Sequence, residues 1–246
     1  MKSNWKRTAL IGAIALALAG GIAALAIFVI APAARYGRAG RLAAAGDAAG
    51  AYEAYDRMGD YRDARARMRQ LQADILGARG AEPTEFAGYT WLVLERREDK
   101  ALLLMESVLE MRPFHEALLD TSWETCTLRL WLNGAFYESL PKADRARVAE
   151  TAVRNSGNAQ YGVKPSGETT DRVFLLSLEE AKLYFPDAAG RIARYNGAAA
   201  YWWLRSPGLE PYLAAIVGSD GLPGYAGSPV SAGSRGLRPA LWAAPE

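Results

Sequence analysis

Two blocks near the C-terminus constrain this chain more than any other feature: YWWLRSPG (Tyr201 to Gly208) and, beyond the intervening Leu209 to Ser234, RGLRPALW (Arg235 to Trp242). Each sets large rings beside a guanidinium. Tryptophan loses much by staying in water, and an arginine fork is best used stacked on a ring or bonded to a carboxylate or carbonyl. Trp202, Trp203, Arg205, Arg238 and Trp242 are therefore read as framework, two strands closing one core, together with Trp91, Trp123 and Trp131. On this reading the arginines pair with a core carboxylate such as Glu124 and stack on Trp131 or Trp203. The competing reading makes them a clamp for an anion between aromatic walls.

Composition removes several function classes. A net charge of +2 over 246 residues, with arginines scattered along the chain, gives no basic stripe for nucleic acid. Cys126 is the single cysteine, so there is no internal disulfide, CxxC pair or thiolate zinc cluster. His115 is the single histidine, which removes the usual Ser/His and Cys/His catalytic pairs. No metal and no cofactor are expected.

The N-terminal end reads as a membrane anchor. Ala9 to Ala31 carries no charged or polar side chain. Its roughly 23 residues at about 1.5 Å each match a hydrocarbon layer of about 30 Å. Lys2, Lys6 and Arg7 precede it and favour a cytoplasmic N-terminus, with the remainder carried across; Arg35, Arg38 and Arg41 beyond the other end oppose that orientation. A cleaved signal peptide is the alternative, since Ala31, Pro32 and Ala33 form a small-residue cleavage pattern, although its apolar run is normally 7 to 15 residues. Residues 1–34 are assigned to the cytoplasmic tip and transmembrane anchor.

Residues 35–80 read as a helical stalk. Leu42, Ala45, Ala49, Tyr52 and Tyr55 keep helical spacing, and Gly46–Asp47 and Gly59–Asp60 each read as a stop followed by a new N-cap, giving three short helices. The small residues and tyrosines resemble one tetratricopeptide-like unit and the start of another. One unit cannot bury its own face, so a spacer is favoured over a peptide groove. Leu76 to Pro83 reads as the linker into a domain at 83–246.

Beyond Phe86 the periodicity turns strand-like. Tyr89 to Glu95 and Lys100 to Glu106 read as a hairpin. TSWETCTLRLWLNGAFYESL reads as a helix capped by Thr121 or Ser122, with Leu128, Trp131, Leu132 and Phe136 on one face and Asn133–Gly134 ending it. Lys142 to Glu150 reads as a short helix and Asn155 to Thr170 as a long surface loop. DRVFLLS reads as a buried strand, Leu178 to Tyr184 as a helix begun by Ser177, and Ser219, Asp220 and Gly221 as a hairpin turn.

The ordered blocks WLVLE, ALLLMES, TSWETCTLRLWLN, DRVFLLSLEEAKLYF, YWWLRSPG and GLRPALW, spanning about Phe86 to Trp242, resemble the bacterial domain-of-unknown-function family 6273. That family is similar to the C-type-lectin-like fold, shared with formylglycine-generating enzymes and with the variable proteins of diversity-generating retroelements. The resemblance implies an α+β domain with helices flanking a twisted antiparallel sheet, and a loop-rich C-terminal half that presents the binding face.

The implied activities fare unequally against the residues. Copper-dependent formylglycine chemistry needs more cysteine than Cys126 alone. A lectin calcium loop wants carboxylates or amides about a proline, and Tyr212 follows Glu210–Pro211 where such a group is needed. Glu179 with Glu180, or Asp171 with Glu168, are nominal acid pairs, but adjacent helical acids point to different faces and are read as solvated charge. The stretch from Leu209 to Ser234 remains. Its Tyr212, Ser219, Asp220, Tyr225, Ser228, Ser231 and Ser234, set among glycines and prolines, resemble adaptable recognition loops and are the candidate ligand-binding residues. The expectation is a membrane-anchored, single-pass, extracytoplasmic recognition or adhesion module, not an enzyme, for a protein, peptide or glycan ligand. Loop diversification through a retroelement stays open. So do a structural envelope tether and a glycan-acting enzyme that uses carboxylates alone.

Overall fold

A computed structural model describes residues 30–78 and 82–245. The apolar run expected to form the anchor falls almost wholly outside the described residues, and among those described no helix is long and apolar enough to cross a membrane. The chain divides into two compact units, Met1–Leu71 and Gln72–Glu246.

The first unit contains α1 (Ala31–Ala44), α2 (Ala48–Asp56) and the start of α3 (Ala64–Ala78). Gly46 turns the chain at φ 77°, and the Asp47 side chain caps α2 by accepting from Gly50 N at 2.8 Å. The second punctuation acts differently from the sequence reading: Asp60 pairs with Arg65 at 2.8 Å, and α3 begins only at Ala64, after Arg62 at φ 51°. Ala39, Ala51 and Ala64 let the helices approach, while Tyr55, Met58 and Leu71 fill the space between them.

The second unit is α+β. Strands β1 (Thr84–Phe86), β2 (Tyr89–Arg96), β3 (Ala101–Met105) and β11 (Ala240–Ala243) form an antiparallel sheet in the order β1-β2-β3-β11. The hairpin β2–β3 follows the expected alternation, and the last strand of the chain closes the sheet against β3. A second antiparallel sheet runs β10-β9-β8 from β8 (Trp202–Pro207), β9 (Leu213–Val217) and β10 (Pro223–Pro229). Two-stranded ribbons pair β4 (Thr151–Asn155) with β5 (Gly167–Asp171), and β6 (Ala193–Tyr195) with β7 (Ala198–Ala200). The two C-terminal blocks meet where Trp203 N donates to Gly236 O at 3.0 Å and Gly236 N to Tyr201 O at 2.8 Å. Trp91, Trp123, Trp202, Trp203 and Trp242 are buried, whereas Trp131 is half-buried under the Arg112 guanidinium at 4.2 Å.

Four elements depart from the sequence reading. The helix expected from Thr121 starts at α4 (Thr127–Trp131), capped by Cys126, whose Sγ accepts from Arg129 N at 3.4 Å. Asn133–Gly134 does not end it. The chain passes through a π turn (Leu132–Phe136) into α5 (Tyr137–Ser139), with the Asn133 amide oxygen accepting from Arg172 N and Val173 N at 2.7 and 3.1 Å. The expected short helix keeps one turn, α6 (Lys142–Arg145). The supposed strand DRVFLLS is a buried irregular segment that touches β11 by one bridge, Phe174 to Ala240, and the expected loop gives up its ends to β4 and β5. The helix after Ser177 is as read: α7 (Leu178–Tyr184) has a full capping box, Ser177 Oγ accepting from Glu180 N and Glu180 from Ser177 N. One further turn, α8 (Ala188–Arg191), precedes β6.

Candidate functional site

A register shift in β8 between Trp203 and Pro207 frees Arg205 and Ser206 from the ladder. Arg205 N donates instead to Leu176 O at 2.9 Å, and Ser206 Oγ accepts from Leu178 N at 3.0 Å. The strand then leaves the sheet through Gly208 and returns as β9. Gly208 is needed there, because a Cβ would lie 2.5 Å from Ala226 O and 2.6 Å from Leu213 Cβ. Between this β8–β9 connection, the Thr121–Trp123 segment and the β4–β5 excursion opens a cleft of about 260 Å³.

The walls are held by buried polar anchors. Asp171, fully buried, accepts from Arg129 Nε at 2.6 Å, Trp123 Nε1 at 2.9 Å and Thr169 Oγ1 at 2.7 Å. Arg205 grips Glu180 with both terminal nitrogens, the longer contact at 2.7 Å, and donates to Leu175 O and Arg154 O. Asn158 ties the excursion to the sheet by donating to Pro207 O at 2.9 Å and Tyr225 O at 2.8 Å. Ser156 Oγ donates to Glu179 at 2.6 Å. The acids read as solvated charge thus have structural work in three of four cases: Asp171, Glu179 and Glu180 are bonded, and Glu168 alone is an exposed strand residue. Neither arginine meets Glu124. Arg205 lies over Phe174 at 5.7 Å, and Arg238 is held by Met105 O at 2.9 Å and sandwiched between Phe185 and Trp202 at 5.4 and 5.1 Å. Burial pushes the Arg238 guanidinium down to about 9, so it stays protonated at neutral pH, and its Nη1 has no hydrogen-bond partner. Both arginines are buried, 5% and 1% exposed, and neither presents an open guanidinium to solvent.

The interior of the cleft is mostly apolar, from Phe114, Trp123, Val163, Leu213 and Ala214. At its edge stand Lys164 and Glu210, both exposed and of opposite charge. Asn155 belongs to the lining, while its Oδ1, which has no hydrogen-bond partner, is buried. Cys126 is buried, which pushes its thiol up to about 12, and His115 Nδ1 accepts from Thr127 N at 3.2 Å. Among the described residues no cluster of acids, His or Cys is arranged to hold a metal ion.

The seven sequence-proposed ligand residues do not converge. Tyr212 is exposed and precedes β9, next to the cleft rim, with its carbonyl accepting from Val230 N at 3.0 Å. Ser219 and Asp220 lie at the far end of β9, whose five residues at about 3.3 Å each put roughly 16 Å between the two sets. Tyr225 is half-buried on β10. Ser228 is 3% exposed and meets Arg235 Nε at 3.2 Å. Ser234 is exposed and bonded to Arg235 at 2.9 Å, and Ser231 is half-buried. Sequence reasoning missed Asn155, Lys164, Ser166, Leu209 and Glu210, which share the cleft only through tertiary structure.

The second unit is thus an α+β domain that carries a preformed, mostly apolar cleft. By sequence the chain belongs to the family Domain of unknown function (DUF6273), matched over residues 98–245, which includes every segment of the cleft. No curated protein and no solved structure matches the chain significantly.

Proposed function

We propose that this protein is a membrane-anchored, extracytoplasmic recognition module whose C-terminal domain has the C-type-lectin-like fold. It holds a protein, peptide or glycan ligand, without chemical turnover, in the cleft beside the Pro207–Leu213 connection. The apolar run Ala9–Ala31 supplies the anchor, and the tetratricopeptide-like helices act as a spacer. The observation that carries the reading is the cleft. It is preformed, and its walls are fixed by the buried Asp171 and Glu180 anchors, while its rim presents Leu209 and Tyr212, 44% and 41% exposed. Antiparallel sheets with flanking helices and a loop-rich C-terminal half support the lectin-like assignment. An acid-pair hydrolase draws no support from Asp171 or Glu180, whose oxygens are bonded within the framework.

The test is a binding screen of the full chain, in lipid nanodiscs, against envelope glycan fragments and surface proteins. It is repeated with Leu209→Asp and with Ser166→Trp, which places a ring over the cleft from an exposed position. A specific signal lost at least tenfold in both variants, at unchanged thermal midpoint, supports the cleft; a signal that survives both rejects it. Protease accessibility of residues beyond Pro32 from outside sealed cells checks the topology.

A further inference from the structure

The cleft also indicates what kind of group it receives. At about 260 Å³ it falls just below the roughly 300–1,000 Å³ of sites that enclose a drug-sized ligand. That space suits one large side chain better than an oligosaccharide. Its exposed lining is mainly rings and aliphatic groups, and the Ser156 and Ser206 hydroxyls within it are already bonded to Glu179 and Leu178 N, so most of a sugar's hydroxyls would lose water without gaining partners. A buried apolar group has the opposite balance, contributing roughly 25 cal/mol for each Å² removed from water.

The surroundings extend the match to a polypeptide. Thr121 N donates to Pro211 O at 3.1 Å, and His115 N to Val230 O at 2.9 Å, which lays residues 115–121 along the β8–β9 connection. That segment carries Leu118 and Leu119, 61% and 45% exposed, and the connection it meets carries Leu209 and Tyr212, 44% and 41% exposed. A shelf of exposed apolar residues beside a small apolar hole suits a protein surface that inserts one anchor and rests its neighbours around it. Lys164 and Glu210 offer one positive and one negative group at the edge, a pairing for main-chain or mixed-charge contacts and not for a polyanion.

Resting on the recognition function proposed above, we propose that the cleft takes a single bulky apolar side chain, leucine- or phenylalanine-like, presented by a peptide segment of a partner protein. The probes are N-acetyl-phenylalaninamide, N-acetyl-leucinamide, N-acetyl-glutaminamide and N-acetylglucosamine, titrated into the full chain in nanodiscs with methyl-labelled Leu and Ala. The expected result is saturable shifts at the Leu213 and Ala214 methyls for the Phe and Leu amides, at least tenfold weaker for the Gln amide, absent for the sugar, and lost in Ser166→Trp and in Leu209→Asp. Saturable shifts from the sugar but not the apolar amides would overturn the peptide assignment while leaving the recognition cleft standing. No shift at these methyls from any probe, with the protein folded, would sink both. Shifts that persist in two folded cleft variants would mean binding elsewhere and would also overturn the proposal.

Discussion

The two ends of the β8–β9–β10 sheet both turn on glycine and proline, Gly218 to Pro223 at one and Pro207 to Tyr212 at the other, yet the structure uses them differently. At one end the Ser219–Gly221 turn is closed on itself. Gly218 N donates to Leu222 O at 2.8 Å, Leu222 N to Asp220 Oδ1 at 2.9 Å, and the buried Arg191 holds Gly221 O at 2.8 Å. At the other end Leu209 and Tyr212 point polar and apolar surface outward beside an open cleft. That turn is bonded too, Gly208 N to Leu213 O at 2.8 Å and Leu213 N to Glu210 O at 2.9 Å, so a loop-like composition says that a chain turns, and only the hollow beside it distinguishes the two ends.

The largest effect expected is on the cleft's foundation. Asp171→Ala removes the common acceptor of Arg129, Trp123 and Thr169 and should lower unfolding free energy by about 3 kcal/mol, the lower part of the range for broken buried pairs. It stays in the lower part because the Arg129 side chain, 19% exposed, can turn toward water. Urea unfolding of the full chain checks it, and a loss below about 1 kcal/mol would mean that the wall does not depend on this carboxylate. Next is the closed turn. Gly221 sits at φ 78° with Ala188 O only 1.9 Å from where a Cβ would be. Gly221→Ala should cost about 1–3 kcal/mol in strain, with ligand affinity in the folded fraction unchanged. If affinity fell with it, the two ends would not be separable.

The elements legible in sequence are those specified by neighbours in the chain. The β2–β3 hairpin follows from the two apolar runs around Arg96–Asp99, α7 from Ser177 at its start, and the turn from Ser219–Asp220–Gly221. The burial of Trp202, Trp203 and Trp242 was legible from the size of their rings. What stayed hidden depends on distant partners. Glu180 and Arg205 are 25 residues apart in sequence, and Asp171 and Trp123 are 48 apart. Asn133 read as a helix stop because its bonds to Arg172 and Val173 are invisible locally. The cleft has no local signature either: the Thr121, Asn155 and Leu209 segments meet only after a register shift turns β8 aside.

A smaller effect is expected at the rim. Leu209→Asp puts a charge at an exposed, apolar lining position, so folding stability should hold within about 0.5 kcal/mol, while affinity for the protein or peptide ligand should fall about tenfold, near 1.4 kcal/mol. Equilibrium binding and thermal unfolding on the same samples separate the two quantities. Equal losses in both would make Leu209 a packing residue and weaken the assignment of the rim.

The smallest effect, and the sharpest test of the contrast, belongs to Asp220→Ala. Its carboxylate is exposed and bonded to the main-chain N–H of Leu222, a short-range contact that water can replace. Removing it should cost about 0.5 kcal/mol of stability and leave affinity within about twofold, less than 0.5 kcal/mol. The same titration used for Leu209→Asp measures it. If Asp220→Ala weakened binding as much as Leu209→Asp did, a ligand would have to reach across roughly 16 Å of sheet or seat at the turn itself, and a cleft sized for one side chain could not account for the recognition.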